Sequence, residues 1–328
     1  MIPIRSHSMG CQLIVAVAFL LGLGGGGNNS RAQQHPGATG DRVYLEIIQR
    51  KDKDLRQRGL EQLLKTLKDP HKDAAEQAWA LRVFSRLTEI PFDRKPFLPA
   101  VTALLGHPGA DVRRAAVEAM PAAGGGEADL RSIAQLTDDP SPIVRAAVPA
   151  SLFGAARGKR ADVTSPVVEK LLDDPNADVT LATLHALWGH AVSPVAEQKI
   201  IDLSRESMHG GPGALGYDAV YYALSTRPVV RLPVAKRLIE LMQDPQLDPN
   251  VRWRAAWGLA HSAAPEAVEM MVDALVGELD ESLHPYIREY AVQGLAAHRT
   301  PAALRKLREL SEKEENPKLR KAAADALK

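Results

Sequence analysis

The chain has 328 residues, 45% of them hydrophobic and 5% aromatic, and carries a formal net charge of +1. That balance gives no electrostatic footprint for nucleic acid. Cys11 is the single cysteine, which excludes an intrachain disulfide and a cysteine-built metal site.

Residues 1–32 read as an export signal. Arg5 supplies positive charge, Leu13–Leu23 is an apolar run of eleven residues, and Ser30-Arg31-Ala32 places small residues at a cleavage position. A bilayer core needs roughly 20 apolar residues, so a permanent anchor is not expected. Cys11 precedes the apolar run, whereas a lipoprotein cysteine follows it. The mature chain is expected to be exported to the periplasm or outside a bacterial cell, with no stable membrane insertion. Loss of Arg5 and Arg31 lowers its net charge from +1 to −1. Residues 33–53 form a polar lead-in with a capping helix over Asp41–Arg50, and residues 54–328 the main body.

The body is organised by a recurring segment: an apolar residue and Arg, followed seven residues later by Leu or Met after a small residue. It appears at Val112-Arg113, Val144-Arg145, Val251-Arg252, Ile287-Arg288 and Leu319-Arg320, with Thr180 and Tyr217 in the Arg position of two looser copies. The intervals are 32, 35, 37, 35, 36 and 32 residues, and Glu76 stands 37 before Arg113. A period of this size marks stacked two-helix units. Leu55–Leu67 and Ala74–Leu87 form the first pair, and Ile90–Pro99, with three prolines, a longer connector. The first helix of each later unit is an apolar-periodic stretch such as Val167–Leu172 or Val234–Met242. Ser165-Pro166, Ser193-Pro194 and Thr300-Pro301 are expected to open first helices, the hydroxyl accepting from an orphan N–H and Pro sitting at the first helical position. Asp139-Pro140, Asp174-Pro175, Asp244-Pro245 and Asn316-Pro317 mark the turns within units, because Pro disfavours α conformation in the residue before it.

This pattern resembles the HEAT-repeat family, especially the short HEAT-like repeats of phycobilisome lyases, over roughly residues 54–328. The resemblance implies an all-α fold, an α-solenoid in the form of a right-handed superhelix of about seven to eight helix pairs. It also implies a hydrogen-bonded ladder between repeats, built from Asp111 with Arg113 and its equivalents. The ladder is expected to break at Thr180 and Tyr217, where the Arg is missing.

No catalytic signature accompanies the repeat. HEAT-repeat hydroxylases of the deoxyhypusine type hold iron through His-Glu dipeptides, and none of the ten histidines here precedes Glu. A Gly-x-Ser-x-Gly elbow and a P-loop are missing as well. No metal and no cofactor is expected. The fifth unit departs from the others in its loop over residues 208–216, which is rich in glycine.

The large aromatics carry the functional reading. Seven of the ten Trp and Tyr residues lie between Tyr217 and Tyr290. Aligned on the motif, Glu118 corresponds to Ala150, His185, Tyr222, Trp257, Gln293 and Asp325. Arg114 corresponds to Ala146, Leu181, Asp218, Trp253, Glu289 and Lys321. Positions four apart share a helix face, so Leu181, His185, Trp188, Tyr222, Trp253 and Trp257 are expected side by side on the concave face of units four to six. An aromatic patch with polar ends is a partner-binding surface. The expected function is therefore a non-catalytic scaffold for another protein or an extended peptide. The alternatives are an enzyme or cofactor-handling protein that uses His185 or His209 with the 208–216 loop, and a structural component of the cell envelope. On the scaffold reading, replacing Trp253 and Trp257 by Ala leaves helicity and melting nearly intact.

Overall fold

The computed structural model describes residues 53–328, except 89, 125–126, 157–160, 207–210, 228–229 and 282–283. The expected export signal, the expected lead-in up to residue 52 with its Asp41–Arg50 helix, and His209 lie outside the described residues. Among the described residues eight helix pairs follow one another. They are α1 (Lys53–Lys68) with α2 (Ala74–Ser85), α3 (Leu98–Leu104) with α4 (Ala110–Ala123), and α5 (Glu127–Gln135) with α6 (Pro142–Ala156). Next come α7 (Ala161–Leu171) with α8 (Ala177–Ala186), and α9 (Pro194–Leu203) with α10 (Leu215–Asp218), which continues into a π-helical turn over Ala219–Leu224. The last pairs are α11 (Leu232–Gln243) with α12 (Pro249–His261), α13 (Val268–Glu281) with α14 (Pro285–His298), and α15 (Pro301–Lys313) with α16 (Pro317–Ala326). Each second helix packs on the second helix of the next unit, so that α2, α4, α6, α8, α10, α12, α14 and α16 form one continuous layer. The arrangement is a right-handed, HEAT-like α-solenoid.

Local chemistry sets the helix boundaries. Ser193 and Thr300 cap α9 and α15 as expected, accepting from the amides of Ala196 and Ala303. Ser165-Pro166 does not open a helix. α7 begins at Ala161 and carries Pro166 inside it, which forfeits one intrahelical bond near the start. Close approach of second helices depends on small residues. A Cβ on Gly258 would lie 2.8 Å from the Ser225 Cα, and one on Gly294 would lie 3.1 Å from the Ala260 Cα.

The core runs along the stack between the two helix layers. Leu63, Leu81, Phe84, Met120, Leu152, Leu184, Leu224, Leu238, Leu259, Leu275 and Leu295 are fully buried within it or nearly so. Each unit supplies a few such residues and meets only its neighbours, the construction by which a solenoid lengthens without enlarging one core.

The ladder exists, but with a different acid. Arg113 Nε and Nη2 donate to Asp139 at 2.6 and 2.8 Å, and Arg145 Nε and Nη2 donate to Asp174 at 2.7 and 2.9 Å. Each acid is the residue before proline in the turn of the following unit; Asp111 is exposed. The same arginines close their own turns, as in the bond from Arg145 Nη1 to the Asp139 carbonyl at 2.8 Å. Asp139 and Asp174 thus receive a charged fork from one unit and order the turn of their own by accepting from the amides of Ser141 and Asn176. The rungs resume at Arg252 with Glu278 (3.7 Å) and Arg288 with Glu314 (2.6 Å). Between them Thr180 makes only a 3.5 Å contact to the Asp174 carbonyl, and Tyr217 has no fork to offer. In the first unit the matching residue is Gln77, one beyond Glu76. Buried Gln77 donates to the Asp69 carbonyl at 3.0 Å.

Candidate functional site: an aromatic face around Arg254

Where the ladder is interrupted, other contacts join the units. Among them is a set of ring contacts made by residues on, or just beyond, the second helices α8, α10, α12 and α14. Leu181, His185, Trp188, Tyr222, Trp253 and Trp257 are all half-buried, belonging neither to the closed core nor to open surface. Leu181 stands one turn before His185 on α8.

The rings fall into two groups. In the first, His185 packs against Tyr222 with ring centroids 4.2 Å apart, and Trp188 lies 5.8 Å from Tyr222 and 6.2 Å from Tyr221. Tyr217 stacks on Tyr221 at 5.8 Å. In the second, Trp253 stacks on Tyr290 at 5.8 Å and lies 6.3 Å from Tyr286. Trp257 stacks on His261 at 4.6 Å, and His261 meets the edge of Tyr290 at 6.0 Å. Tyr286 is the outermost ring, 57% exposed. Trp253 also packs against the core and bonds through Nε1 to Asn250 at 3.0 Å. Its replacement therefore removes packing as well as surface.

Arg254 joins the two groups. Its guanidinium carbon lies 4.8 Å from the ring centre of Trp188, 4.5 Å from that of Tyr221 and 4.3 Å from that of Trp257. Residues of three successive units thus present rings to one cation, an attraction that strengthens as water is removed. Arg254 is 5% exposed. Its Nε donates to Ser225 Oγ at 3.1 Å and to the Tyr221 carbonyl at 3.4 Å, while Nη2 is buried with no hydrogen-bond partner. Burial holds its pKa below the usual arginine value, offset by the surrounding tyrosines. Burial also raises the pKa of Tyr217, Tyr222 and Tyr290, so these phenols are neutral near pH 7.

The π turn shapes the site. The Ser225 amide bonds to the Val220 carbonyl, five residues back, at 3.1 Å, and the Tyr221 carbonyl receives Ser225 Oγ and Arg254 Nε instead. In the regular units the position of Tyr221 holds a buried Val117, Ala256 or Val292. Tyr221 is half-buried and turned to Arg254. Extra-wide turns of this kind occur frequently at functional sites.

A His–Asp pair borders the first aromatic group. His185 Nε2 lies 2.9 Å from Oδ2 of buried Asp218, and the Gly213 amide, from the glycine-rich loop, donates to Asp218 Oδ1 at 3.3 Å. Among the described residues no group of three or more His, Cys, Asp and Glu is placed to hold a metal ion, and no helix is long and apolar enough to cross a membrane. Towards the ends of the stack the same face turns polar, with Arg114 paired to Glu118 at 2.8 Å and Asp325 to Lys328 at 2.7 Å.

Reading the sequence for two columns missed Arg254, Tyr217, Tyr221, His261, Tyr286 and Tyr290. A signal for two of them was present. Two residues beyond the motif Arg, five units carry Ala115, Ala147, Ala182, Ala219 and Ala322, whereas the sixth and seventh carry Arg254 and Tyr290. A large side chain where neighbours carry Ala requires space between units, and the aromatic face occupies it.

A family model described as HEAT repeats matches residues 234–328, which span α11 to the end of the chain. No curated protein sequence matches the chain. Similar solved structures include human deoxyhypusine hydroxylase in complex with glycerol, 15% identical over 88% of this chain and 97% of that one, with a TM-score of 0.32. Kap121p bound to Nup53p is 14% identical over 87% of this chain and 36% of that one, with a TM-score of 0.41. The complex of CpcE and CpcF of phycocyanin lyase from Nostoc sp. PCC7120 is 15% identical over 82% of this chain and 98% of that one, with a TM-score of 0.37.

Proposed function

We propose that the chain is an exported, non-catalytic scaffold that holds a segment of another protein, or an extended peptide, along the concave face of its solenoid. The observation that carries this reading is the run of half-buried rings from His185 to Tyr290 across four consecutive second helices, with the exposed Tyr286 at its edge. Rings that are partly packed are held in fixed positions and lose little freedom on binding, which is why Trp and Tyr dominate the anchors of protein interfaces. Stacked units extend such anchors along a line, a layout that suits an extended partner.

The test is capture from a cell-envelope extract by the mature chain, run beside Trp257→Ala. This variant removes a ring of the face and leaves the core side chains of α12 in place. A protein retained by the wild-type chain and lost from a variant of unchanged helicity supports the scaffold. Equal retention by both removes Trp257 from the binding face and with it the basis of the reading.

A second reading, catalysis or cofactor handling at the 208–216 loop, is favoured by one observation: the loop reaches the His185–Asp218 pair through Gly213. On that reading purified protein carries a bound small molecule and His185→Ala releases it, which native mass spectrometry detects. Protein free of small molecules argues for the scaffold.

A further inference from the structure

Among the described residues, Arg254 is a buried cation without a counter-anion. The other well-buried arginine, Arg227, is 3% exposed and has Glu197 at 3.5 Å, while Arg231 holds the same carboxylate at 2.6 Å. Half-buried Arg113, Arg145 and Arg288 each face a carboxylate of the next unit. Among the described residues, the contacts of its guanidinium are to rings, one hydroxyl and one carbonyl. Ring faces attract the charge, but they do not replace an acceptor for the guanidinium N–H groups. Both hydrogen bonds in the protein use Nε, and Nη2 is left with none. A buried charge is ordinarily paired, because leaving it without a partner is costly.

We propose that Arg254 is the recognition point for a carboxylate of the bound segment, set between the rings of Trp188, Tyr221 and Trp257. The proposal deepens the scaffold reading and rests on it. The free edge of a guanidinium matches a carboxylate in a two-bond fork. Trp188, Tyr221 and Trp257 are each half-buried, so part of every ring around the guanidinium is open to an incoming group. Trp253, Tyr286 and Tyr290 continue the aromatic surface alongside, where apolar side chains next to the carboxylate find partners. The partner segment is accordingly acidic with aromatic or apolar neighbours, and its carboxylate comes from an acidic side chain or from a chain terminus.

Three synthetic peptides separate these sources: Ac-Phe-Glu-Phe-Glu-NH2 carries side-chain carboxylates, Ac-Phe-Gln-Phe-Gln-OH only a terminal one, and Ac-Phe-Gln-Phe-Gln-NH2 none. Each is titrated into the folded chain while tryptophan emission is followed, since Trp188 and Trp257 flank the site. At least one carboxylate peptide is expected to bind ten-fold or more tightly than the neutral peptide, with the preference reduced by salt. Arg254→Met, which keeps an apolar chain among the rings, and Arg254→Lys, which keeps the charge and loses the fork, should both erase most of that preference. Should Arg254→Met fail to fold, the peptide comparison on the wild-type chain and the folded Arg254→Lys variant still decide the matter. Equal binding of all three peptides overturns the carboxylate site while leaving the aromatic face as a binding surface. A preference that survives in a folded Arg254 variant overturns it also. If no peptide changes the emission, the carboxylate site falls, and the scaffold reading is decided by the capture experiment alone.

Discussion

Replacing Asp139 by Ala removes the rung that ties the second unit to the third. The carboxylate accepts two bonds from Arg113 at 2.6 and 2.8 Å and one from the Ser141 amide at 2.8 Å. The two side chains are only 13% and 3% exposed, so solvent screens the pair weakly. Stripping one partner from a buried pair costs about 3–5 kcal/mol, mostly through the charge left behind. Arg113 retains its bonds to the carbonyls of His107 and Pro108 at 2.8 and 2.9 Å, which lowers the expected loss to about 2–3 kcal/mol. For a chain of this size that is a fall in melting temperature of roughly 5–10 °C. Because long repeat arrays depart from two-state unfolding, urea melts should be paired with hydrogen exchange, where α4 and α6 lose protection before α14 and α16. Arg113→Met combined with Asp139→Leu should recover a large part of the loss, since neither charge is then stranded. A loss below about 0.5 kcal/mol for Asp139→Ala, the range of ordinary surface substitutions, would refute a stabilising role for the ladder.

The same acids fix the behaviour in acid. Burial raises the Asp139 pKa, but the bonds from Arg113 and Ser141 outweigh it and hold the group below the ordinary 3.8; Asp174 is lowered first of all by its bond from Arg145. Folded values below unfolded ones mean that the unfolded chain takes up protons first as pH falls. The ladder's contribution is therefore complete at neutral pH and is lost as pH drops below about 4 through the folded values. A pH series of urea midpoints should show a fall there that Asp139→Asn makes shallower; parallel curves would contradict it. At the aromatic face, Gly258→Ala places a Cβ 2.8 Å from the Ser225 Cα. Overpacking of this kind costs about 1–3 kcal/mol. Since Ser225 holds Arg254, the variant should also alter tryptophan emission, and an unchanged spectrum with unchanged melting would show that the helices separate freely.

The repeat interval alone placed the second helices, because stacking requires one apolar stripe per unit at nearly constant spacing. It also located the break in the ladder, since Thr180 and Tyr217 lack the fork. The acid of each rung was less legible. Asp139 has to be both a turn residue before proline and an ion-pair partner, and a turn residue before proline reads in sequence as a turn residue alone. Pro166 looked like a helix start because Ser165 precedes it, as Ser193 precedes Pro194. A proline close to the start of a helix costs a single bond, and α7 begins before it. The aromatic columns followed from register, but the π turn did not. Periodicity assumes a constant rise and rotation per residue, and one widened turn carries Tyr221 from a core position to Arg254. Arg254 itself occupies a position that is Ala in five other units, and only the packing explains why a charge belongs there.

On the proposed function, the aromatic second-helix face, rather than the first-helix layer, meets the partner. Two side chains of similar exposure separate these surfaces: Tyr286 at the start of α14, 57% exposed, and Val195 at the start of α9, 53% exposed. A photoreactive benzoyl-phenylalanine placed at either position and irradiated in whole cells reports which surface is occupied. A scaffold that binds through its aromatic face gives a discrete protein adduct from position 286 that is lost with Trp257→Ala, and none from position 195. An adduct from position 195 alone, or equal adducts from both that persist in the Trp257→Ala chain, would contradict it.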